Sequence, residues 1–310
     1  MRTRTSVTLS LVALAACVLA VGFSGASFTD TTQNPQTVSA ATDFLPPIAA
    51  ASVIAKTQGG ATGYIKAAGT YYVYANVTDA GNPASGVASV KADVSGITTG
   101  QTAATLTTGS YSVGGVSYNY RSAELEARSS LAPGSQSYTL ALADSAGNSR
   151  SPSFSVMVNG AFAGSDFETG NAPGGTEGKP EKGDTVTFVF NQAPEPGSIV
   201  SGWDGSGTKS VSVSIADSVS NDSLTVSGAT IGSVALKGNF TEEKTTTFTG
   251  SSMSLSGSTV TIVLGTESAG NPKTETGKTK PVWTPSASVF DQAWNACSTA
   301  NVTGKNAKQF

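Results

Sequence analysis

Not one of the 310 residues is histidine. That absence removes Ser-His-Asp and Cys-His nucleophile arrangements and every metal site that needs an imidazole. There are two cysteines, too few for a Cys-rich zinc site or a disulfide framework. Charged residues are scarce as well, at 13%, about half the usual share. The net charge of −3 and pI near 5.1 leave no basic face for nucleic acid. Beyond the N-terminus no long apolar run occurs. What remains is rich in glycine, with 35, and in Ser and Thr, a composition that leans to strands and turns. The length suggests two domains.

The N-terminus reads as an export signal. Met1-Arg-Thr-Arg4 is basic, Thr5 to Phe23 is apolar with small residues, and Ser24-Gly-Ala-Ser27 offers a cleavage site. An uncleaved membrane anchor is the alternative, since the run approaches spanning length. Cleavage between Ser27 and Phe28 would remove Arg2 and Arg4, taking 18 basic residues to 16 against 21 acids, a mature net charge of −5. Leu14-Ala-Ala-Cys17 also fits a lipobox, although the apolar Val18 to Phe23 follows where a lipoprotein usually carries a polar tether.

After an unpatterned segment, residues 28–48, ending in Pro46-Pro47, strand signals recur. Tyr71, Val73, Ala75 and Val77 alternate with Tyr72, Tyr74 and Asn76, a period of two. Tyr138, Leu140 and Leu142 do the same, Gly114-Gly115 reads as a hairpin turn, and Phe154, Val156 and Val158 form a closing strand. Residues 161–182 read as a Gly/Pro-rich linker. A second series follows in Val186, Phe188 and Phe190, in Val211, Val213 and Ile215, and in Val260, Ile262 and Leu264. Each alternation turns one apolar face to a core and one hydroxyl-rich face to water. The reading is all-β, with two β-sandwich domains in tandem, residues 49–160 and 183–310, after a signal peptide at 1–27.

A short repeat runs through both halves. Asp79-Ala-Gly-Asn82, Asp144-Ser-Ala-Gly-Asn148 and Glu267-Ser-Ala-Gly-Asn271 share an acid, alanine and Gly-Asn. Asp291-Gln-Ala-Trp-Asn295 is a degraded fourth copy with Trp294 in the glycine's place. Such a segment makes a tight turn, the Asp folding back on the backbone and Gly taking positive φ. Acid-plus-Asn clusters can also bind calcium, but no copy has the alternating ligand series of a dedicated loop. No cofactor is expected on this reading, with calcium as the alternative.

Two resemblances sharpen these expectations. Phe28, Asp30, Asn34 and Ser39-Ala-Ala-Thr-Asp43 resemble exported proteins processed by a SipW-like signal peptidase, a class that includes biofilm matrix fibre subunits and Gram-positive surface proteins. Tyr72-Val-Tyr-Ala-Asn-Val-Thr-Asp79, Ser85-Gly-Val-Ala-Ser-Val90 and Leu142-Ala-Asp-Ser-Ala-Gly-Asn148 look like bacterial Ig-like modules. Lys182-Gly-Asp-Thr-Val-Thr-Phe-Val-Phe190 with Pro196-Gly-Ser-Ile199 is similar to Ig-like domains of surface proteins. The resemblance implies two Ig-like sandwiches and leaves the function open, because these modules serve as spacers, adhesins and appendages to enzymes.

Candidate chemistry is thin. A glycosidase needs two acids at a set separation; Asp204, Asp217, Asp222, Glu242 and Glu243 exist, but no motif frames a pair. Cys297 lacks a neighbouring base and reads as a half-buried thiol. Lys66, Lys91 and Lys237 are candidates for the Lys–Asn isopeptide bonds of some Gram-positive Ig-like domains. Tyr72 and Tyr74, on one strand face, and Trp203, in Ser201-Gly-Trp-Asp-Gly-Ser206, are candidate contact aromatics for a glycan or partner protein. The structural alternatives are sheet packing for the tyrosines and a lid on the second core for Trp203. Thr299 to Phe310 is polar and holds no Leu-Pro-x-Thr-Gly sorting signal. The expectation is an exported, non-enzymatic surface or matrix protein, secreted or cell-surface associated. It would self-associate or contact other surface proteins or polysaccharide, with no nucleic-acid partner and the membrane engaged only through the signal.

Overall fold

A computed structural model describes residues 43–219, 221–277, 280–305 and 310. The expected signal peptide with its Ser27–Phe28 cleavage point, Cys17 and most of the 28–48 segment lie outside the described residues. The protein is all-β. The first unit holds β1 (Ile48–Lys56), β2 (Tyr64–Lys66), β3 (Thr70–Thr78), β4 (Val87–Asp93), β5 (Ala104–Val113), β6 (Val116–Ser122), β7 (Leu125–Glu126), β8 (Gly134–Asp144), β9 (Ser149–Arg150) and β10 (Ser153–Asn159). They pair in the order β1-β3-β6-β5-β4-β8-β10-β2, with β7 on β3 and β9 on β8. The sheet curls until its ends meet: Gly63 N, beside β2, donates to Ile54 O of β1 at 2.9 Å. Tyr71, Val73, Ala75 and Val77 all point into the core so enclosed, as the period of two requires.

The second unit is built the same way from β11 (Phe162–Gly170), β12 (Thr185–Phe190), β13 (Lys209–Ala216), β14 (Ser223–Ser227), β15 (Gly232–Ala235), β16 (Thr246–Ser256), β17 (Thr259–Val263), β18 (Thr266–Ala269), β19 (Val282–Pro285), β20 (Cys297–Ser298) and β21 (Val302–Thr303). Their order is β20-β11-β12-β17-β16-β13-β14-β15-β19-β21, with β18 on β16. One helical turn, Pro196–Ile199, interrupts the strands. Each unit has a separate core; that of the second centres on Phe167, Phe188, Phe248 and Trp283. Trp283 meets Phe188 and Phe190 edge-on, both at 5.1 Å.

Two expected boundaries shift. Phe162–Gly170 is a strand rather than linker: it pairs antiparallel with β12, and Phe162 and Phe167 are both buried. At the other end Ile48 already belongs to β1, and Asp43 is buried against the first unit.

The β5–β6 hairpin turns on Gly114 and Gly115, both at positive φ, between the paired Val113 and Val116. That is the two-residue turn whose twist matches the strands. β4 pairs with β5 only at Lys91–Thr105 and Ala92–Ala104. From Thr107 to Val113, among the described residues, β5 therefore has β6 on one side and no strand on the other.

Candidate functional site

β1 runs from one pole of the first unit to the other, nine residues or ~30 Å at about 3.3 Å per residue. Its two ends carry the two polar clusters of interest. At the outer pole three carboxylates converge, those of Asp43, Asp79 and Asp144, each offering an oxygen within 4.8 Å of the others. Asp43 precedes β1, Asp79 follows β3 and Asp144 ends β8, so curling of the sheet is what assembles them.

Backbone donors hold each acid. Asp43 accepts from Leu45 N at 3.0 Å and Ser85 N at 2.9 Å, and these bonds, that to Ser85 foremost, pull its carboxyl below the usual range. Asp79 accepts from Gly86 N, and Asp144 takes both the amide N and the side-chain amide of Asn148, each at 2.8 Å. Asn148 Nδ2 also donates to Asp43 O at 3.2 Å. A Cβ at Gly81 would fall on Oδ1 of Asp43, so a larger residue there would have to displace that carboxylate. Oxygen donors so grouped are the ligand type of a hard cation; the same oxygens close the turns.

At the inner pole β1 ends on Lys56, whose ammonium donates to Ala61 O at 2.6 Å, Tyr64 O at 2.8 Å and Gln292 O at 2.8 Å. The last of these belongs to the second unit. Burial pushes the amine down to about 8, against the opposing pull of Glu195 and Asp291; nearby Lys66 lowers it further. Lys66 donates to Trp294 O at 2.9 Å, and Ala61 N to Gln292 O at 3.1 Å. These three cross-junction bonds end on two carbonyls, Gln292 O and Trp294 O, in one turn of the second unit, residues 291–295.

That turn is the degraded repeat. Asn295 donates its amide N to Asp291 Oδ1 at 2.7 Å and its side-chain N to Oδ2 at 2.8 Å; Asp291 N donates to Asn295 O at 3.0 Å. Asp144 and Asn148 make the same three bonds, at 2.8, 2.8 and 3.1 Å. The turn glycine there, Gly147, has φ +93°; Trp294 occupies its place at +64°. A bulky side chain in the left-handed region is strained, on the order of 1–3 kcal/mol. The conformation lays the indole on Phe290, at 4.5 Å and 7° between planes, and against Gly59 of the first unit. Asp291 Oδ2 further accepts from Asn159 and Gln192, fixing the end of β10 to the same turn.

The remaining predicted residues scatter. Asn82 is exposed beside the Asp79 turn; Glu267 is exposed on β18 and Asn271 lies beyond it, so this copy does not close on its acid. Trp203 is buried in the second core with Nε1 donating to Ser206 O at 3.0 Å, a lid and not a contact tip. Tyr74 is 6% exposed beneath Tyr72, Tyr111 and Tyr118. Above it the Arg121 guanidinium lies 4.5 Å from the ring centres of both Tyr72 and Tyr111. Asp204, Asp217, Glu242 and Glu243 are exposed, and Asp222 is buried with both oxygens on backbone amides. Lys91 and Lys237 are exposed. Cys297 is buried, which raises its thiol to about 11.

Sequence reasoning took Asp43 for part of the export pattern and did not reach Lys56. The fourth repeat copy was the one signal pointing to the inner pole. No protein-family model, curated protein or solved structure matches this chain.

Proposed function

We propose that the chain is an exported, non-enzymatic structural or adhesive component of the cell surface or extracellular matrix, built from two Ig-like β-sandwiches. The observation that supports this best is the junction between them. Lys56, Lys66, Ala61 and Asn159 of the first unit all bond the 291–295 turn of the second, through charge-assisted and backbone bonds. Tandem modules tied so directly act as one stiff element, which suits a protein that spaces, links or bears tension.

In this reading copies associate end to end or side to side through the N-terminal segment. Residues 28–42 precede the outer pole, and their stretch Gln36-Thr-Val-Ser-Ala-Ala-Thr42 is uncharged and strand-prone. The unpaired edge of β5, Thr107–Val113, is a template for one added strand. Neither step needs a cofactor. Deleting residues 28–42 from the mature protein is expected to abolish assembly; assembly at the wild-type rate would refute the role given to that segment.

A second reading, a secreted module that binds a glycan or host protein, draws on the Tyr72–Arg121–Tyr111 stack. With Trp203 and Tyr74 buried, the contact surface in this reading narrows to Tyr72 and Tyr111. Replacing both by alanine would weaken such binding without unfolding the unit; undiminished binding would remove the reading.

A further inference from the structure

Between the two units, beside the 291–295 turn, lies a cavity of about 250 Å3 lined by Lys56, Lys66, Thr57, Gln58, Thr70 and Trp294 among others. Two lysines meet in it. Lys56 spends its three N–H bonds on carbonyls of both units, whereas Lys66 spends one, on Trp294 O, and among the described residues no carboxylate lies within ion-pair distance of it. Thr57 and Thr70 hydroxyls, bonded to each other at 2.7 Å, and the exposed Gln58 amide supply neutral polar groups at the rim.

The cavity wall also holds two strained backbone positions. Among the described residues six non-glycine positions have positive φ, and two of them, Ala68 at +55° and Trp294 at +64°, line this one cavity. Strained residues persist where the surrounding structure holds them for a purpose, and they cluster at ligand sites. Here the indole of Trp294 and the side chain of Lys66, which bonds Trp294 O, border one space. At about 250 Å3 the space is smaller than the roughly 300–1,000 Å3 of drug-sized sites, so it suits a single sugar unit or the end of a chain.

We propose that this inter-unit cleft binds a carboxylate-bearing saccharide unit. Lys66 pairs with the carboxylate, the Thr57–Thr70 pair and Gln58 meet the ring hydroxyls, and the Trp294 edge forms the apolar wall. Lysine acts here as a point charge, needing no planar fork from its partner. The choice of a saccharide rests on the extracellular setting proposed above. The binding itself is independent of assembly and is measured on soluble protein.

The test is calorimetric titration of the mature two-unit protein with a galacturonic acid oligosaccharide, alongside a neutral glucose oligosaccharide and inorganic phosphate. Binding of the uronate alone is expected. Lys66→Gln should weaken it by about tenfold or more, the loss of a hydrogen bond to a charged group, and Lys66→Arg should restore most of it. Lys91→Gln, an exposed lysine on β4, should leave it unchanged. Circular dichroism verifies that each variant is folded. No uronate binding, binding indifferent to Lys66→Gln in a folded variant, or equal binding of the neutral oligosaccharide would overturn the proposal. Binding of inorganic phosphate as tight as that of the uronate would overturn the saccharide assignment. A monomeric protein that binds uronate would keep this site while removing the assembly reading, so the two failures are separable.

Discussion

Replacing Lys56 by methionine keeps most of the apolar stem and removes the ammonium that ties both units. The bond to Gln292 O is charge-assisted, and such bonds contribute about 1.5–3 kcal/mol each. Two further carbonyls, those of Ala61 and Tyr64, lose their donor. Each costs about 1–3 kcal/mol if it stays dry, less here because water reaches the half-buried site. Against this stands relief of the amine's burial, visible in its fall to about 8. Discounted for solvent access, that relief is on the order of 2–3 kcal/mol. The balance is a junction weakened by about 2 kcal/mol, roughly a thirtyfold rise in its opened population. Hydrogen exchange reads this directly, because Ala61 N donates across the junction to Gln292 O. Its exchange should speed by about thirtyfold, while Val73 and Phe188, deep in the two cores, keep their rates. Unchanged exchange at Ala61 would refute the tie.

The same lysine sets a pH dependence. Its amine has a lower pKa in the closed, folded protein, about 8, than its ordinary 10.5. Between those values the folded state binds fewer protons, so its contribution to stability rises with pH across that window and is flat below it. The difference in denaturant midpoint between wild type and Lys56→Met should therefore grow from pH 7.5 to pH 10; a shrinking difference would contradict the assignment. Gly147→Ala should cost about 1–2 kcal/mol, because φ of +93° is unfavourable for a Cβ. Trp294→Gly relieves strain of that order yet loses the packing on Phe290 and Gly59, so the expected net loss is about 1 kcal/mol with faster Ala61 exchange; a more stable variant with a tight junction would show that the indole adds nothing. Asp144→Ala removes both bonds to Asn148 and should lower stability by about 2 kcal/mol in chemical denaturation. Cys297 should resist a thiol reagent at pH 8 until the protein unfolds, since its thiol is buried and raised to about 11; prompt labelling of the native protein would contradict its placement.

How far the sequence carries the fold depends on the period of two. Val186, Phe188 and Phe190 alternate with Thr185, Thr187 and Val189, and all three are buried. Phe162–Gly170 hides the same pattern. Phe162 and Phe167 are five apart, which regular alternation would send to opposite faces, and a register shift between Gly164 and Asp166 brings both inward. With two glycines and two acids in nine residues, the composition reads as loop. Trp203 was undecidable for a different reason: a glycine-framed indole fits a tip or a lid equally, and its burial in the second core is what favours the lid.

The inner pole was legible only in the Asp291–Asn295 repeat. Lys56, Lys66 and Trp294 are up to 238 residues apart in sequence, and no local spacing announces that β1, β2 and a turn of the second unit converge. The outer pole was half legible. Asp79 and Asp144 stand out as turn acids, but Asp43 joins them only because the sheet curls.

Light scattering on the protein produced without residues 1–27, across a range of concentrations, tests the proposed function most directly. Growth into large species whose size rises with concentration is the predicted result. A monomer of constant mass at every concentration would contradict a self-associating structural role.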